Sequence, residues 1–224
     1  MRPVRRVWVT RAGPGARRTA DRLTDLGFEP VVAPLLAIER IAQLAPDLTG
    51  VAALAFTSRN GVEAFAALSG ERDLPVFAVG DATAAAARTA GFASVHSAAG
   101  ALGDLARRLE EAALGPVLAP GALEPSGDLA ALLAGRVEVR RLPVYRAVET
   151  GAAAPAAFDA VLVHSPRAGR AVAARGPLAG RVVVAISEAA AAPLDPAPDL
   201  EIRIAARPDE AALLEALGKP APRV

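Results

Sequence analysis

The 224-residue chain contains no cysteine and only two histidines, His96 and His164. The absence of cysteine excludes disulfides, thiolate nucleophiles and iron–sulfur clusters, and it excludes most zinc sites as well. Two histidines are too few for a typical histidine-based metal centre, and no acidic cluster accompanies a phosphate-binding loop. The sequence therefore predicts that the protein has no metal site.

Long apolar runs are also missing, and the charge is nearly balanced. No run approaches the roughly 20 apolar residues that a membrane-spanning helix requires. The basic start of the chain is followed by a strand-length run at Val7–Val9 and not by the apolar core of a signal peptide. A formal net charge of +1 does not suit a nucleic-acid partner, which requires a concentrated basic face. We expect a cytoplasmic protein that binds neither membranes nor nucleic acids.

Short β-type runs alternate with alanine-rich helical stretches along the whole chain, and this pattern is typical of parallel α/β layers. Because Trp8 lies in the first of these runs, we expect it to be a core residue. The predicted strands are 6–10, 29–33, 53–57, 76–79, 117–119, 137–140, 160–164, 182–186 and 202–205. The predicted helices are 15–26, 61–68, 82–90, 102–109, 127–133, 166–174 and 210–217.

The chain also repeats itself. Ser58 pairs with Ser165, and Val76 pairs with Val183, in two separate stretches that share an offset of 107 residues. Residues 29–35 resemble residues 138–144 at an offset of 109. The repeat predicts two similar α/β domains, and the proline-containing segments 34–39 and 143–149 suggest crossings between them.

Polar or small residues follow five of the predicted strands. In parallel sheets, ligands bind beyond the carboxyl ends of the strands, where helix N-termini present free N–H groups. We expect these turns to form an anion-binding rim, although helix capping alone would also explain them. Asn60 with Glu63 suggests one capping box, and Ser165 before Pro166 suggests a second cap. The turns are 10–11, 57–60, 80–83, 165–167 and 187–189.

Other motifs of catalysis are incomplete. Gly13 and Gly15 begin a dinucleotide-type loop, but its third glycine would fall at Arg18. Neither Ser58 nor Ser165 lies in a G-x-S-x-G elbow. We interpret His164 as an interior or rim residue and His96 as a solvated residue of a polar loop.

Tyr145 is the only tyrosine in the chain. It lies in one of the segments that we expect to cross between domains, where its side chain would face a cleft. A packing role at a hinge would explain the same position.

Taken together and in order, seven short motifs resemble those of the uroporphyrinogen-III synthase family across nearly the full chain. The resemblance implies that residues 1–34 and 150–224 form one discontinuous domain and residues 40–142 form the other. Residues 35–39 and 143–149 would be the linker strands, and the working site would lie in the interdomain cleft. The motifs are 9–11, 34–35, 56–62, 79–84, 144–146, 165–166 and the Ala205 and Pro208 pair.

The family closes hydroxymethylbilane into uroporphyrinogen III with inversion of ring D, in tetrapyrrole (haem) biosynthesis. The resemblance implies that Tyr145 assists hydroxide departure and that no cofactor is required. It also suggests a monomer that receives this linear tetrapyrrole from the preceding pathway enzyme. The substrate-binding candidates are Thr10, Arg11, Thr57, Ser58, Arg59, Asn60, Gly80, Ala82, Thr83, Ser165, Pro166, Arg167, Ser187 and Ala189.

The chain departs from the family pattern at residues 186–190, where Ser187 and Ala189 stand in a turn that usually carries threonines. Glu188 would also place a negative charge near an anionic ligand unless it points to solvent. These departures leave an alternative open: a non-catalytic two-domain protein of the same fold that binds a ligand or regulates. We expect the residues after Lys219 to form a disordered tail.

Overall fold

The computed structural model describes residues 2–41 and 44–222. Contacts divide the chain into two compact units. Unit 1 comprises Met1–Ala37 and Val148–Val224, and unit 2 comprises Ile38–Ala147. Within the described residues, no helix is both long and apolar enough to cross a membrane.

Unit 1 is a parallel five-stranded sheet with the order β11-β10-β9-β1-β2. Residues alternate between its two faces, as they must in a strand. Val7 and Val9 pack towards α1 and α8, whereas Trp8 packs on the opposite face with residues of α6. Trp8 is fully buried, as predicted, and its indole N–H donates to the Ala33 carbonyl at 2.8 Å. Its elements are β1 (Arg6–Val9), α1 (Gly13–Asp25), β2 (Glu29–Val32), β9 (Ala160–Val163), α6 (Pro166–Ala173), β10 (Val182–Ala185), α7 (Glu188–Ala191), β11 (Glu201–Ile204) and α8 (Glu210–Glu215).

Unit 2 contains a six-stranded sheet with the order β3-β8-β7-β4-β5-β6, in which the five strands from β8 to β6 run parallel. Phe56 and Phe65 pack on one face of this sheet, and Phe77 and Leu105 pack on the other. Its elements are β4 (Ala53–Phe56), α2 (Arg59–Leu68), β5 (Val76–Ala78), α3 (Asp81–Thr89), β6 (Val95–Ser97), α4 (Leu102–Ala112), β7 (Val117–Ala122) and α5 (Leu129–Leu132). The adjacent strands β3 (Leu36–Arg40) and β8 (Val139–Glu149) contain the two boundaries between the units.

Five strands of each sheet share one spatial order when they are matched by the internal repeat, which pairs β1 with β7, β2 with β8, and β9, β10 and β11 with β4, β5 and β6; β3 is an additional strand. In unit 1 the order reverses between β1 and β9, and in unit 2 it reverses between β7 and β4. Such a reversal is the topological switch point at which open parallel sheets leave a crevice beyond the strand ends. These observations confirm the predicted fold class of parallel α/β sheets flanked by helices.

Several local predictions are wrong. His96 lies in the edge strand β6 and not in a loop, and its ring stacks on Phe77 with centroids 5.0 Å apart. Helix α7, which is only four residues long, was not predicted, and α5 is shorter than the predicted helix 127–133. The expected disordered tail is ordered as far as it is described, because Pro220 bridges to Val4 and the Ala221 N–H donates to the Val4 carbonyl at 2.8 Å. Its last two positions, 223 and 224, lie outside the described residues.

Candidate functional site

In unit 2, the turn after β4 begins helix α2 with a serine cap. The Ser58 Oγ accepts the Gly61 N–H at 3.1 Å, which satisfies one of the free donors of the first helical turn. The predicted capping box of Asn60 and Glu63 is therefore wrong, since Asn60 already lies inside the helix. Serine and asparagine both cap well, so composition alone could not choose between them.

The same Ser58 hydroxyl lies 2.9 Å from the hydroxyl of Tyr145, and either oxygen could be the donor. Tyr145 is only 8% exposed, and its ring packs with Ala64 of α2 and with Val144. The phenol thus lies against the N-terminus of α2. Ser58 and Tyr145 are two of the predicted site residues that the structure brings together.

Two backbone features lie beside this pair. A Cβ at Gly61 would lie 2.8 Å from the Pro120 carbonyl oxygen, so glycine lets α2 approach β7 closely. Between Gly121 and Ala122 the β7–β8 register shifts, and Tyr145 becomes the partner of Ala122. Register irregularities of this kind change the direction of nearby side chains and are frequent beside active sites.

In the neighbouring turn of unit 2, after β5, Gly80 is the N-cap of helix α3 and supplies no side-chain hydrogen bond. Asp81 and Ala82 are exposed at this end of the helix, whereas the Thr83 side chain is buried at 6% exposure. Because parallel strands end at the same edge, this turn shares a rim with the exposed Thr57 and the half-buried Arg59 of the Ser58 turn. The rim offers backbone N–H groups and a few hydroxyls, which suits an anionic ligand.

In unit 1, Thr10 occupies the switch point but is fully buried. Its hydroxyl donates to the Leu162 carbonyl at 2.7 Å and so ties the end of β1 to β9. The predicted substrate-binding role of its side chain therefore competes with a structural hydrogen bond.

Arg11, which follows Thr10, forms an ion pair with a residue far away in the sequence. Its guanidinium lies 2.9 Å from Glu210 of α8, and both side chains are largely buried. The other Glu210 carboxylate oxygen accepts a hydrogen bond from the buried Thr19 hydroxyl. Arg11 is thus already neutralised within unit 1.

The environment of this cluster shifts both pKa values. Burial lowers the pKa of Arg11 from its usual value, although Glu210 opposes this effect. Burial alone would raise the pKa of Glu210, but the Thr19 hydrogen bond and the charges of Arg11, His164 and Arg22 outweigh it, so the net pKa is lowered. Glu210 is therefore held as a carboxylate.

The turn after β9 repeats the serine cap of unit 2. Ser165 Oγ accepts the Ala168 N–H at 3.1 Å, and Pro166 is the first residue of α6, as predicted. Arg167 is half-buried on this turn. After β10, Ser187 caps the short helix α7 by accepting the Ala190 N–H at 3.3 Å, while Glu188 and Ala189 are exposed. These turns end parallel neighbouring strands, so they share the rim of unit 1 with Thr10 and Arg11.

The residues missed by sequence reasoning are Glu210 and Thr19. Glu210 follows the cap residue Asp209 at the start of α8. An acidic residue at a helix N-terminus is common because it interacts favourably with the helix dipole, so its position alone does not indicate a buried ion pair. Among the residues that the structure describes, no group of three or more histidine, aspartate or glutamate side chains could hold a metal ion.

Comparison with known proteins identifies the family. A crystal structure of a mutant uroporphyrinogen III synthase from the extremely thermophilic bacterium Thermus thermophilus aligns with a TM-score of 0.51 and 19% identity, covering 96% of this chain and 90% of that chain. This likeness shows a shared fold. The wild-type enzyme in a second crystal form (TM-score 0.41, 17% identity, 96% and 90% coverage) and a further structure of the Thermus thermophilus enzyme (0.39, 17%, 95% and 97%) are more distant.

No curated protein matches the chain in sequence. The family model described as uroporphyrinogen-III synthase HemD matches residues 17–215, which is most of the chain. The protein therefore belongs to the uroporphyrinogen-III synthase family.

Proposed function

We propose that this protein is a uroporphyrinogen-III synthase, which converts hydroxymethylbilane into uroporphyrinogen III and water with inversion of ring D. The observation that carries the proposal is the family match across residues 17–215. The strand-end turns support it, because a substrate with eight carboxylates suits helix N-termini and hydroxyls better than a hydrophobic pocket.

The proposed reaction starts with loss of hydroxide from the terminal hydroxymethyl group, assisted by the pyrrole nitrogen. The resulting azafulvene is attacked at the substituted carbon of ring D, and the spiro intermediate then fragments and recloses with ring D inverted. Because the substrate cyclises without inversion in the absence of enzyme, the main task of the protein is to bind a conformation that favours the spiro route.

In this proposal the Tyr145 hydroxyl donates a hydrogen bond to the departing oxygen. A phenol is a suitable partner because its O–H can donate a hydrogen bond to an oxygen within reach. The rim of unit 2 (Thr57, Ser58, Arg59, Asn60, Gly80, Ala82 and Thr83) and the rim of unit 1 (Thr10, Arg11, Ser165, Pro166, Arg167, Ser187 and Ala189) would bind the carboxylates. Backbone N–H groups carry most of this binding, since Thr10, Arg11 and Thr83 are buried or already paired.

We also propose where the protein acts, in which oligomeric state, and how its substrate reaches it. The protein acts as a cytoplasmic monomer without a cofactor and receives its substrate from the preceding pathway enzyme. Size-exclusion chromatography with light scattering tests the monomer, and a dimer at micromolar concentration would contradict that part alone.

The decisive experiment supplies freshly generated hydroxymethylbilane and separates the oxidised products by isomer. We expect predominantly type III product, and a no-enzyme control should give type I. If the protein and the control both give only type I, the synthase proposal fails. A ligand-binding protein of the same fold would then be the better description.

A further inference from the structure

Three groups at the switch point of unit 2 form a continuous hydrogen-bonded chain. The Gly61 N–H donates to Ser58 Oγ at 3.1 Å, and Ser58 Oγ lies 2.9 Å from the Tyr145 hydroxyl. Capping alone would explain the first of these hydrogen bonds. It does not explain the second, which joins residues 87 positions apart.

Ser58 and Tyr145, the residues joined by the second hydrogen bond, are both held firmly in place. Ser58 has the extended backbone of an N-cap (φ −157°, ψ 154°), and its helix is packed against β7 by the close approach of Gly61 to the Pro120 carbonyl. The Tyr145 ring is buried, and its own carbonyl accepts the Leu123 N–H at 2.8 Å. The phenol oxygen is therefore placed by its neighbours, as a productive geometry requires.

The hydrogen-bonding capacity of serine allows a defined change of roles. A serine hydroxyl has one donor and two acceptor positions, and Gly61 uses one of the acceptor positions. When Tyr145 directs its proton to a departing oxygen, Ser58 can direct its own proton to the Tyr145 oxygen. The positive end of the dipole of the ten-residue helix α2 lies at Ser58. It polarises the hydrogen bonds from Gly61 through Ser58 to Tyr145 in the direction that stabilises negative charge on the phenol oxygen.

We propose that Ser58 is a positioning residue for Tyr145: it fixes the phenol and donates to it as the substrate hydroxide leaves. The inference rests on the proposed function and on the proposed role of Tyr145. It differs from the expectation that Ser58 binds substrate, because here Ser58 acts through the tyrosine. No covalent bond to the protein forms or breaks.

The test is a double-mutant cycle measured as initial rates of type III product. Ser58→Gly removes the hydroxyl but costs a helix cap only a few tenths of a kcal/mol. We expect it to lower kcat about 5- to 10-fold, which is the size of one neutral hydrogen bond, and to change KM less than about twofold. Ser58→Thr keeps the hydroxyl and should restore kcat to within about twofold. In a Tyr145→Phe background, Ser58→Gly should change kcat by less than about twofold, because its partner is gone.

The control variant is Asp128→Ala, which removes the cap of α5 in the same unit without touching the phenol. It should leave kcat unchanged, while circular dichroism checks that every variant is folded. An undiminished effect of Ser58→Gly in the Tyr145→Phe background would overturn the inference, and so would a normal kcat in Ser58→Gly alone. If the native protein gives only type I product, the proposed function itself fails. If the native protein gives type III product but the effects of Ser58→Gly and Tyr145→Phe on kcat are independent, only the role of Ser58 fails.

Discussion

The two units place different chemistry at equivalent switch points. Unit 1 has an ion pair of Arg11 and Glu210, whereas unit 2 has a neutral hydroxyl pair of Ser58 and Tyr145. At the repeat offset of 109 residues, Arg11 corresponds to Pro120, and Tyr145 corresponds to Leu36. The scaffold is therefore shared, but the groups that could do chemistry belong to one unit and the buried charges belong to the other.

The scaffold is shared even in how its helices pack. Both the helix after β4 and the helix after β9 have a serine cap and a glycine that faces a backbone carbonyl. Gly61 faces Pro120, and Gly169 faces Ala190. A side chain at either position would push the helix away from its neighbour, so these glycines maintain the geometry on which each rim depends.

The largest effect should come from Gly169→Ala in unit 1. The new Cβ would overlap the Ala190 carbonyl oxygen, which cannot move without shifting α7. We expect a loss of about 2–3 kcal/mol in the free energy of unfolding, against about 1–2 kcal/mol for Gly61→Ala in unit 2. Urea denaturation measures both.

Gly103→Ala in α4 is the matched control, because in the described part of the chain only its sequence neighbours and its own helix backbone could lie within 4 Å of the new Cβ. It should be neutral or stabilising, by up to about 1 kcal/mol. Equal stability of Gly169→Ala and Gly103→Ala would show that the carbonyl contact in unit 1 is unimportant.

Tyr145→Phe should produce the next largest effect, and this time on activity. Loss of a hydrogen bond to a departing anion should lower kcat about 10- to 100-fold, while affinity for the product stays nearly unchanged. Leu36→Met at the corresponding position of unit 1 conserves volume and should change kcat less than about twofold. Unchanged turnover in Tyr145→Phe would refute a chemical role for the only tyrosine.

Glu210→Gln tests the ionic cluster of unit 1. Glu210 has a lowered pKa in the folded protein, so its contribution to stability is present above the pKa of the unfolded chain and is lost as pH falls through the folded pKa. We expect Glu210→Gln to cost about 1–2 kcal/mol at neutral pH. Denaturation curves at decreasing pH should show the two proteins converging.

The exposed Glu188 supplies a control with the same change of charge. Glu188→Gln should alter stability by less than about 0.5 kcal/mol at any pH in this range. A Glu210→Gln deficit that stays constant down to strongly acidic pH would mean that the carboxylate charge does not matter.

The smallest effect should come from Ser165→Ala, which removes the cap of α6. We expect a loss of about 1 kcal/mol in stability, similar to that of Ser58→Ala, because both serines accept a helix N–H at 3.1 Å. Ser58→Ala should in addition slow turnover. Equal decreases in kcat for Ser165→Ala and Ser58→Ala would show that the Ser58 contact with Tyr145 gives unit 2 no special role in turnover.

Much of the fold could be predicted because apolar strands and alanine-rich helices alternate clearly. Valine-rich runs such as β10 are buried on both faces, and this pattern is visible in the sequence. The strand β6 was not predicted, because it has only three residues and a histidine at its centre. These residues form a strand because they pair with β5. The order of the final residues depends on a partner at Val4, more than 200 positions away.

The site was less predictable because its contacts also join residues that are far apart in the sequence. Sequence patterns identified Ser58, Tyr145 and Arg11 as residues of interest, but they did not reveal which partner each would have. The Ser58–Tyr145 hydrogen bond joins residues 87 positions apart beside a register irregularity, and the Arg11–Glu210 ion pair joins residues 199 positions apart. Local spacing carries no information about contacts of this kind.

The discontinuous first unit has a consequence for biosynthesis on the ribosome. Strand β1 lies inside its sheet between β2 and β9, yet β9 follows roughly 150 residues later in the chain. At a translation rate of about 5–20 residues per second, β1 waits on the order of ten seconds for this neighbour. The contiguous second unit can meanwhile finish folding. Among strand edges that are paired in the described native sheets, the β9-facing edge of β1 therefore stays unpaired longest during synthesis, and a chaperone would have its greatest benefit there.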